Sequence, residues 1–277
     1  MPTIQASGGI LLHVQFTPPR SSQDPCLLWL HGAFEHSGHY EKACSYFAKL
    51  GWGNIIFDLR GHGKSGGTRV FITNFEEYLE DVNIVYETFA KQLEGPLILI
   101  GHSMGGLIAI RYLEWDKAIA PFQHCIVTAP FLGLAIEIPA WKKFLSKLIV
   151  RYWPKFSLPN GLDPRWLSHD IKYVQFYQND PLVVKKATAA WFEQILLNHK
   201  LAFQKAPTID TPLDIFIAAD DKIVSNNTIE LFFENLPPTL LKSKHFLPDF
   251  YHEVFNESNA SILLHEIESI IKARTKV

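Results

Sequence analysis

The stretch "GPLILIGHSMGGLIAIRYLEW" (95–115) decides how this chain is built. Aliphatic residues run straight into Ser103, which is set among Gly101, Gly105 and Gly106, and an apolar pattern at three- and four-residue steps then resumes. This reads as a buried strand, a tight turn and a helix. Gly-x-Ser-x-Gly in that setting is the pattern of a nucleophile elbow, a strained turn that lifts the serine hydroxyl above the sheet edge. A positive φ at the serine forces neighbouring backbone together, and only glycine, lacking Cβ, leaves room. The helix aims its first N–H groups at the spot where negative charge would develop. The same residues also suit an ordinary glycine-rich βα turn, so the rest of the chain must choose.

Working outward, apolar runs bounded by turns alternate with helical patterns, which predicts a mostly parallel sheet. Strands are expected at 10–16, 26–30, 54–58, 96–100, 125–129 and 213–218, with another within 239–246. Helices are expected at 39–50, 75–93, 105–115, 226–236 and 258–273, with Asn74 and Ser258 as N-caps. The rhythm breaks between about Phe131 and Pro207. No clear strand is visible there, and aromatic residues crowd a helical pattern. The prediction is one α/β unit formed by 1–130 and 208–277, with a helical insertion at 131–207 lying over the sheet.

Composition narrows the function classes. A chain of 277 residues with 47% hydrophobic and 19% charged residues suits one packed core. A net charge of −2 gives no footing for nucleic acid. No apolar run approaches the roughly 20 residues of a membrane span, and "MPTIQASGGILLHVQF" lacks the pattern of a signal peptide. Cys26, Cys44 and Cys125 are odd in number and scattered, so they read as buried thiols in a reducing compartment. The expectation is a cytoplasmic protein without metal or cofactor.

A serine needs a base before it becomes a nucleophile. On elbows of this type the partners follow in the order Ser, Asp or Glu, His. "LDIFIAADDKIVSNN" ends a predicted strand with two aspartates, and "HFLPDFYHEVFNE" places His252 in a loop before the last helix. Asp221 is preferred as the acid, because it sits just past the strand end; Asp220 is read as turning the loop, and Asp249 lies close to the histidine in sequence. His102 flanks the serine, but neighbours on an elbow point apart. His31 and His62 are expected to hold loops together, and the other histidines have no chemical context. For the oxyanion, one donor is the N–H of Met104, the residue after the serine. The second is assigned to Ala33, in the "HGA" that follows the predicted strand at 26–30.

Taken together, "HGAFEHSGHY", "FDLRGHGKSGG", "GHSMGG", "AADDKIVSN" and "YHEVFNE" resemble the monoacylglycerol lipase/lysophospholipase-like serine hydrolases of the α/β-hydrolase fold, of the serine aminopeptidase S33 (Hydrolase_4) type. "QNDPLVVKKATAAWF" (178–192) is similar to that family's cap. The resemblance spans nearly the whole chain. By position it implies Ser103 as nucleophile, Asp221 as acid, His252 as base, and Ala33 and Met104 as oxyanion donors. It further implies substrate contacts at Phe34, His102, Phe131 and Trp191. The implied reaction is hydrolysis of a single-chain acyl lipid, monoacylglycerol or lysophospholipid, with the head group left open. Two departures stand out. Phe34 occupies a usual glycine position and could narrow the acyl pocket. His39 occupies a usual arginine position and cannot offer Glu35 a permanent charge.

Within the insertion, 138–156 reads as a basic amphipathic helix. Trp141, Phe144, Leu145, Leu148 and Tyr152 share one face, and Lys142, Lys143, Lys147, Arg151 and Lys155 lie elsewhere. Such a helix packs as a lid or rests on an anionic bilayer, so transient peripheral membrane contact is expected. "GHGKSGG" (61–67) is not a phosphate loop, because Asp58 stands where that motif needs glycine. A serine peptidase would need an acidic subsite for a substrate amine, for which Glu35, Glu137 and Asp180 are the candidates. A non-catalytic binder would have no need of all three reactive side chains.

Overall fold

A computed structural model describes residues 3–135 and 149–275. The main sheet has eight strands: β1 (Thr3–Gln5), β2 (Leu11–Thr17), β3 (Cys26–Leu30), β4 (Gly53–Phe57), β5 (Leu97–His102), β6 (His124–Thr128), β9 (Leu213–Ala218) and β10 (Lys242–Leu247). The remaining two, β7 (Ser157–Pro159) and β8 (Lys186–Thr188), form a small antiparallel pair apart from it. The order across the main sheet is β1-β2-β4-β3-β5-β6-β9-β10. Only the β1–β2 and β2–β4 pairings are antiparallel; the remaining six strands run parallel. The helices are α1 (Glu41–Lys49), α2 (Glu76–Val85), α3 (Met104–Leu113), α4 (Ile171–Asn179), α5 (Ala189–Lys205), α6 (Asn226–Asn235) and α7 (Ala260–Thr275).

Every residue of β3, β4, β5, β6 and β9 is buried, as strands covered on both faces must be. The two-residue period decides which side each serves. On β3, Leu28 and Leu30 join the core beneath α2 and α3, whereas Leu27 and Trp29 join the core beneath α1 and α7. Trp29 is fully buried against Phe47 and Phe255, and its indole N–H donates to Asn54 Oδ1 at 2.9 Å. Burying an indole of this size contributes on the order of 4–6 kcal/mol before entropy is counted. Strand β10 closes the sheet and is mostly half-buried, with Lys242, Ser243 and Lys244 along it, a composition that discourages further pairing at an edge.

The predicted alternation of strands and helices matches the observed order. Asn74 Oδ1 accepts from Glu76 N at 3.1 Å, and Glu77 Oε1 accepts from Thr73 N and Asn74 N, so α2 starts with a reciprocal cap. Helix α2 then loosens into a π-type turn at Tyr86–Ala90. Two features differ from the sequence reading: β1 was not foreseen, and the 131–207 stretch contains β7 and β8. Three-residue strands are too short to leave a two-residue period, and the aromatic spacing around them imitates a helix. Of the basic helix expected at 138–156, residues 138–148, with Lys142, Lys143 and Lys147, lie outside the described residues. Helical structure is present at 149–152. The long connection from β6 to β9 is anchored on the sheet layer by α5, where Arg111 Nε donates to Asn198 Oδ1 at 3.0 Å.

Candidate active site

Strand β5 ends at His102 and α3 begins at Met104, so Ser103 alone makes the turn, with φ 51° and ψ −115°. The glycines permit it. A Cβ on Gly105 would collide with the carbonyl oxygen of Leu30 and lie 2.7 Å from that of His31, and one on Gly101 would collide with the carbonyl of Gly105. Helix α3 is therefore pressed directly onto the end of β3. Ser103 N donates to Thr128 O at 3.0 Å, and Ser103 O accepts from Phe131 N at 2.9 Å, which ties the turn to β6 as well.

His252 Nε2 lies 2.9 Å from Ser103 Oγ, and His252 Nδ1 lies 2.7 Å from Asp221 Oδ2. The other carboxylate oxygen of Asp221 accepts from Ile223 N at 2.8 Å and Val224 N at 3.0 Å. Asp221 is thus fixed by its own loop, with one oxygen left for the imidazole. Asp220 is exposed and Asp249 sits in a turn at φ 58°; neither contacts His252. Burial pushes the His252 imidazole toward neutrality, but the charge and hydrogen bond of Asp221, helped by Glu253, raise its pKa above the usual value.

Met104 is the first residue of α3, so its N–H has no intrahelical acceptor. Ala33 and Ser103 both line one cavity of about 600 Å3, within the range of small-ligand sites. The Ala33 loop is braced from behind: Glu35 Oε1 accepts from Gly32 N at 2.5 Å and from Tyr40 Oη at 2.6 Å. Phe34 takes φ 72°, a left-handed conformation that costs a non-glycine residue on the order of 1 kcal/mol.

Of the residues expected to touch substrate, Phe34, Phe131 and Trp191 line this cavity; His102 does not. That assignment is corrected. His102 is the last residue of β5, and strand alternation turns its ring under the elbow, where Nδ1 meets Thr128 Oγ1 at 3.0 Å and Nε2 lies 3.5 Å from Glu253 Oε1. Glu253, which sequence reasoning missed, is in the cavity wall. It is buried, yet the imidazoles of His102, His252 and His39 outweigh desolvation and hold its pKa at about 2. Burial and then Glu253 push the Glu35 carboxyl well above its usual range. His39 Nδ1 lies 2.9 Å from Tyr173 Oη, and burial lowers its pKa to about 4, so it is neutral beside Glu35. His31 and His62 hold turns through Leu59 N and Arg60 O. In the 61–67 turn, Asp58 accepts from Ser37 N and Lys64 N.

Two groups among the described residues bring three metal-ligand atoms close together: His36, His39 and Asp180, and His102, His252 and Glu253. Neither offers a free set of lone pairs. His36 Nδ1 accepts from Gly38 N at 3.1 Å, so the proton sits on Nε2 and is donated to Asp180 Oδ2 at 2.9 Å. Both nitrogens of His252 are already engaged.

The chain matches the family described as serine aminopeptidase, S33, over residues 21–259. It is 34% identical over 82% of its length to an abhydrolase domain-containing protein of Dictyostelium discoideum, of which it spans 24%. It is 29% identical to phospholipase YtpA of Bacillus subtilis, with 82% of this chain and 87% of that protein aligned. Among solved structures, the monoacylglycerol lipase of Paleococcus ferrophilus superposes with a TM-score of 0.83 at 29% identity, covering 95% of this chain and 99% of that one.

Proposed function

The chain belongs to the serine aminopeptidase S33 family of α/β-hydrolases, and on that premise we propose that it is a serine hydrolase of single-chain acyl lipids, a monoacylglycerol or lysophospholipid esterase. Its class is that of the carboxylic ester hydrolases, acting on lipid esters. The observation that carries the finer reading is a hydroxyl–imidazole–carboxylate relay that opens into an apolar, aromatic cavity.

In this reading His252 Nε2 takes the Ser103 proton as Oγ attacks the ester carbonyl. The tetrahedral oxyanion is held by the N–H groups of Met104 and Ala33. As the intermediate collapses, the imidazolium protonates the departing alcohol, leaving an acyl-serine. Water, deprotonated by the same nitrogen, attacks that ester, and Ser103 leaves with its proton restored while the fatty acid is released. Asp221 keeps the imidazole in the tautomer with Nδ1–H and stabilises its charged form. Residues 131–207 are proposed to form a cap over 1–130 and 208–277, carrying most of the aromatic wall.

Neither Glu35 nor Asp180, the described candidates for a peptidase's amine subsite, lines the cavity that holds Ser103. Both Glu35 and Asp180 already serve as hydrogen-bond partners, for Gly32 N and Tyr40 and for His36 respectively, and Glu137 lies outside the described residues. A long-chain 1-monoacylglycerol or lysophosphatidylcholine is therefore expected to be cleaved with a kcat/KM at least about 100-fold above that of any aminoacyl nitroanilide, since a site built for one substrate discriminates by such factors. Faster release of nitroaniline from an aminoacyl substrate would reverse the assignment.

Among the described residues no helix is long and apolar enough to cross a membrane. Peripheral contact is proposed between the cavity-lining residues Ile149 and Phe156, where Trp153 is 68% and Tyr152 64% exposed beside Arg151 and Lys155. Tryptophan and tyrosine favour the headgroup layer, and each nearby cation adds about 1 kcal/mol on an anionic surface. Co-sedimentation of a Trp153→Ala/Lys155→Glu double variant with phosphatidylserine vesicles is expected to fall about tenfold. Equal sedimentation of variant and parent would remove the membrane from the account.

A further inference from the structure

Phe34 directly follows Ala33, and its φ of 72° is a conformation that glycine adopts freely and phenylalanine does not. The backbone of this loop would accept a residue without a side chain; the chain places an aromatic ring there instead. The ring faces Trp191 with centroids 5.3 Å apart and planes at 56°, and both residues line the cavity that holds Ser103. Neither side of this pair is loose. Trp191 is buried in the first turn of α5, where its N–H donates to Thr188 Oγ1 at 3.3 Å. The carbonyl of Phe34 accepts from Val184 N at 2.8 Å. Phe34 is thus clamped through its backbone to one part of the 131–207 segment and through its ring to another.

An ester carbonyl oxygen seated between the Ala33 and Met104 amides brings the adjoining acyl carbon within reach of the next side chain along the loop. We infer that Phe34, backed by Trp191, is a specificity-determining residue whose ring fills the space beside the acyl carbon next to the ester carbonyl, so that the site takes straight chains and turns away chains branched at that carbon. The inference rests on the esterase reading above and deepens it. The chemistry does not call for the ring, because a glycine would leave both oxyanion donors where they are. What the ring adds is a wall, and walls of this kind discriminate by about 10–200-fold per methyl group.

The test compares kcat/KM for 4-nitrophenyl hexanoate and 4-nitrophenyl 2-methylhexanoate on the full-length protein and on Phe34→Gly and Phe34→Ala. The parent is expected to favour the straight ester by more than about tenfold. Both variants should raise the branched-to-straight ratio by about 10–100-fold. Glycine relieves the left-handed strain and alanine keeps it, so equal shifts in the two assign the effect to the missing ring. A shift in glycine alone would mean backbone relaxation and would overturn the inference, as would parallel rates in all three proteins. Fluorophosphonate labelling of Ser103 and a thermal midpoint for each variant report whether the fold is intact. If the labelled, folded parent hydrolyses neither ester, the esterase reading itself fails, and that outcome is distinct from hydrolysis with an unchanged ratio.

Discussion

Ser103→Ala is expected to reduce ester turnover by about 10⁶, and His252→Ala by a similar factor, as when members of a serine triad that act as one unit are removed. The magnitude follows from the contacts. Among the described residues, His252 is the base that meets the Ser103 hydroxyl, at 2.9 Å. What remains is binding and oxyanion stabilisation, worth about 10³–10⁴ over water. Single-turnover release of 4-nitrophenol from a short ester, with active sites counted by fluorophosphonate in the parent, measures it. A Ser103→Ala protein retaining a tenth of the parent's rate would end the serine assignment. Stability should change little, because the lost hydroxyl makes one hydrogen bond.

Asp221→Asn should cost about 10⁴ in kcat, a smaller loss with a more specific cause. In the native loop Oδ1 accepts two backbone N–H groups, from Ile223 and Val224. An asparagine keeps those bonds only by placing its carbonyl oxygen there, which turns its NH₂ toward His252 Nδ1. The imidazole must then accept at Nδ1 and carry its proton on Nε2, where it cannot receive one from Ser103. The pH profile separates this from damage to the loop. Burial lowers the His252 pKa, whereas Asp221 and Glu253 raise it to a net value above the ordinary 6.5. Native kcat/KM should therefore rise with pH through a midpoint above 6.5, as the imidazolium loses its proton. Without the Asp221 charge the desolvation effect dominates, and the midpoint should move to lower pH. A midpoint unmoved in Asp221→Asn would place the charge control elsewhere.

Some of this was legible before any coordinates. The elbow is local: a strand, one serine and close-packed glycines leave a mark within a few residues, and the order Ser, Asp, His adds the rest. Asp220 and Asp221 both lie past the end of β9, and what separates them is that Asp221 reaches His252 Nδ1. The ring of His102 was misread as facing substrate, although the alternation of β5 was there to be used. Glu253 carried no signal at all. Its role in the wall depends on His102, His39 and Tyr173 arriving from three distant segments, and a single sequence does not encode such meetings in any spacing. The strands β7 and β8 were missed for a different reason, since three residues are shorter than the pattern that identifies a strand.

Gly105 lies against the carbonyl oxygens of Leu30 and His31, so the start of α3 and the loop that follows β3 meet main chain to main chain, with Glu35 bracing that loop from behind. That contact involves none of the side chains of Phe34, Phe131 and Trp191, which line the cavity. Exchanging those three side chains should therefore change which molecule fits the cavity, while the packing of the elbow stays as it is.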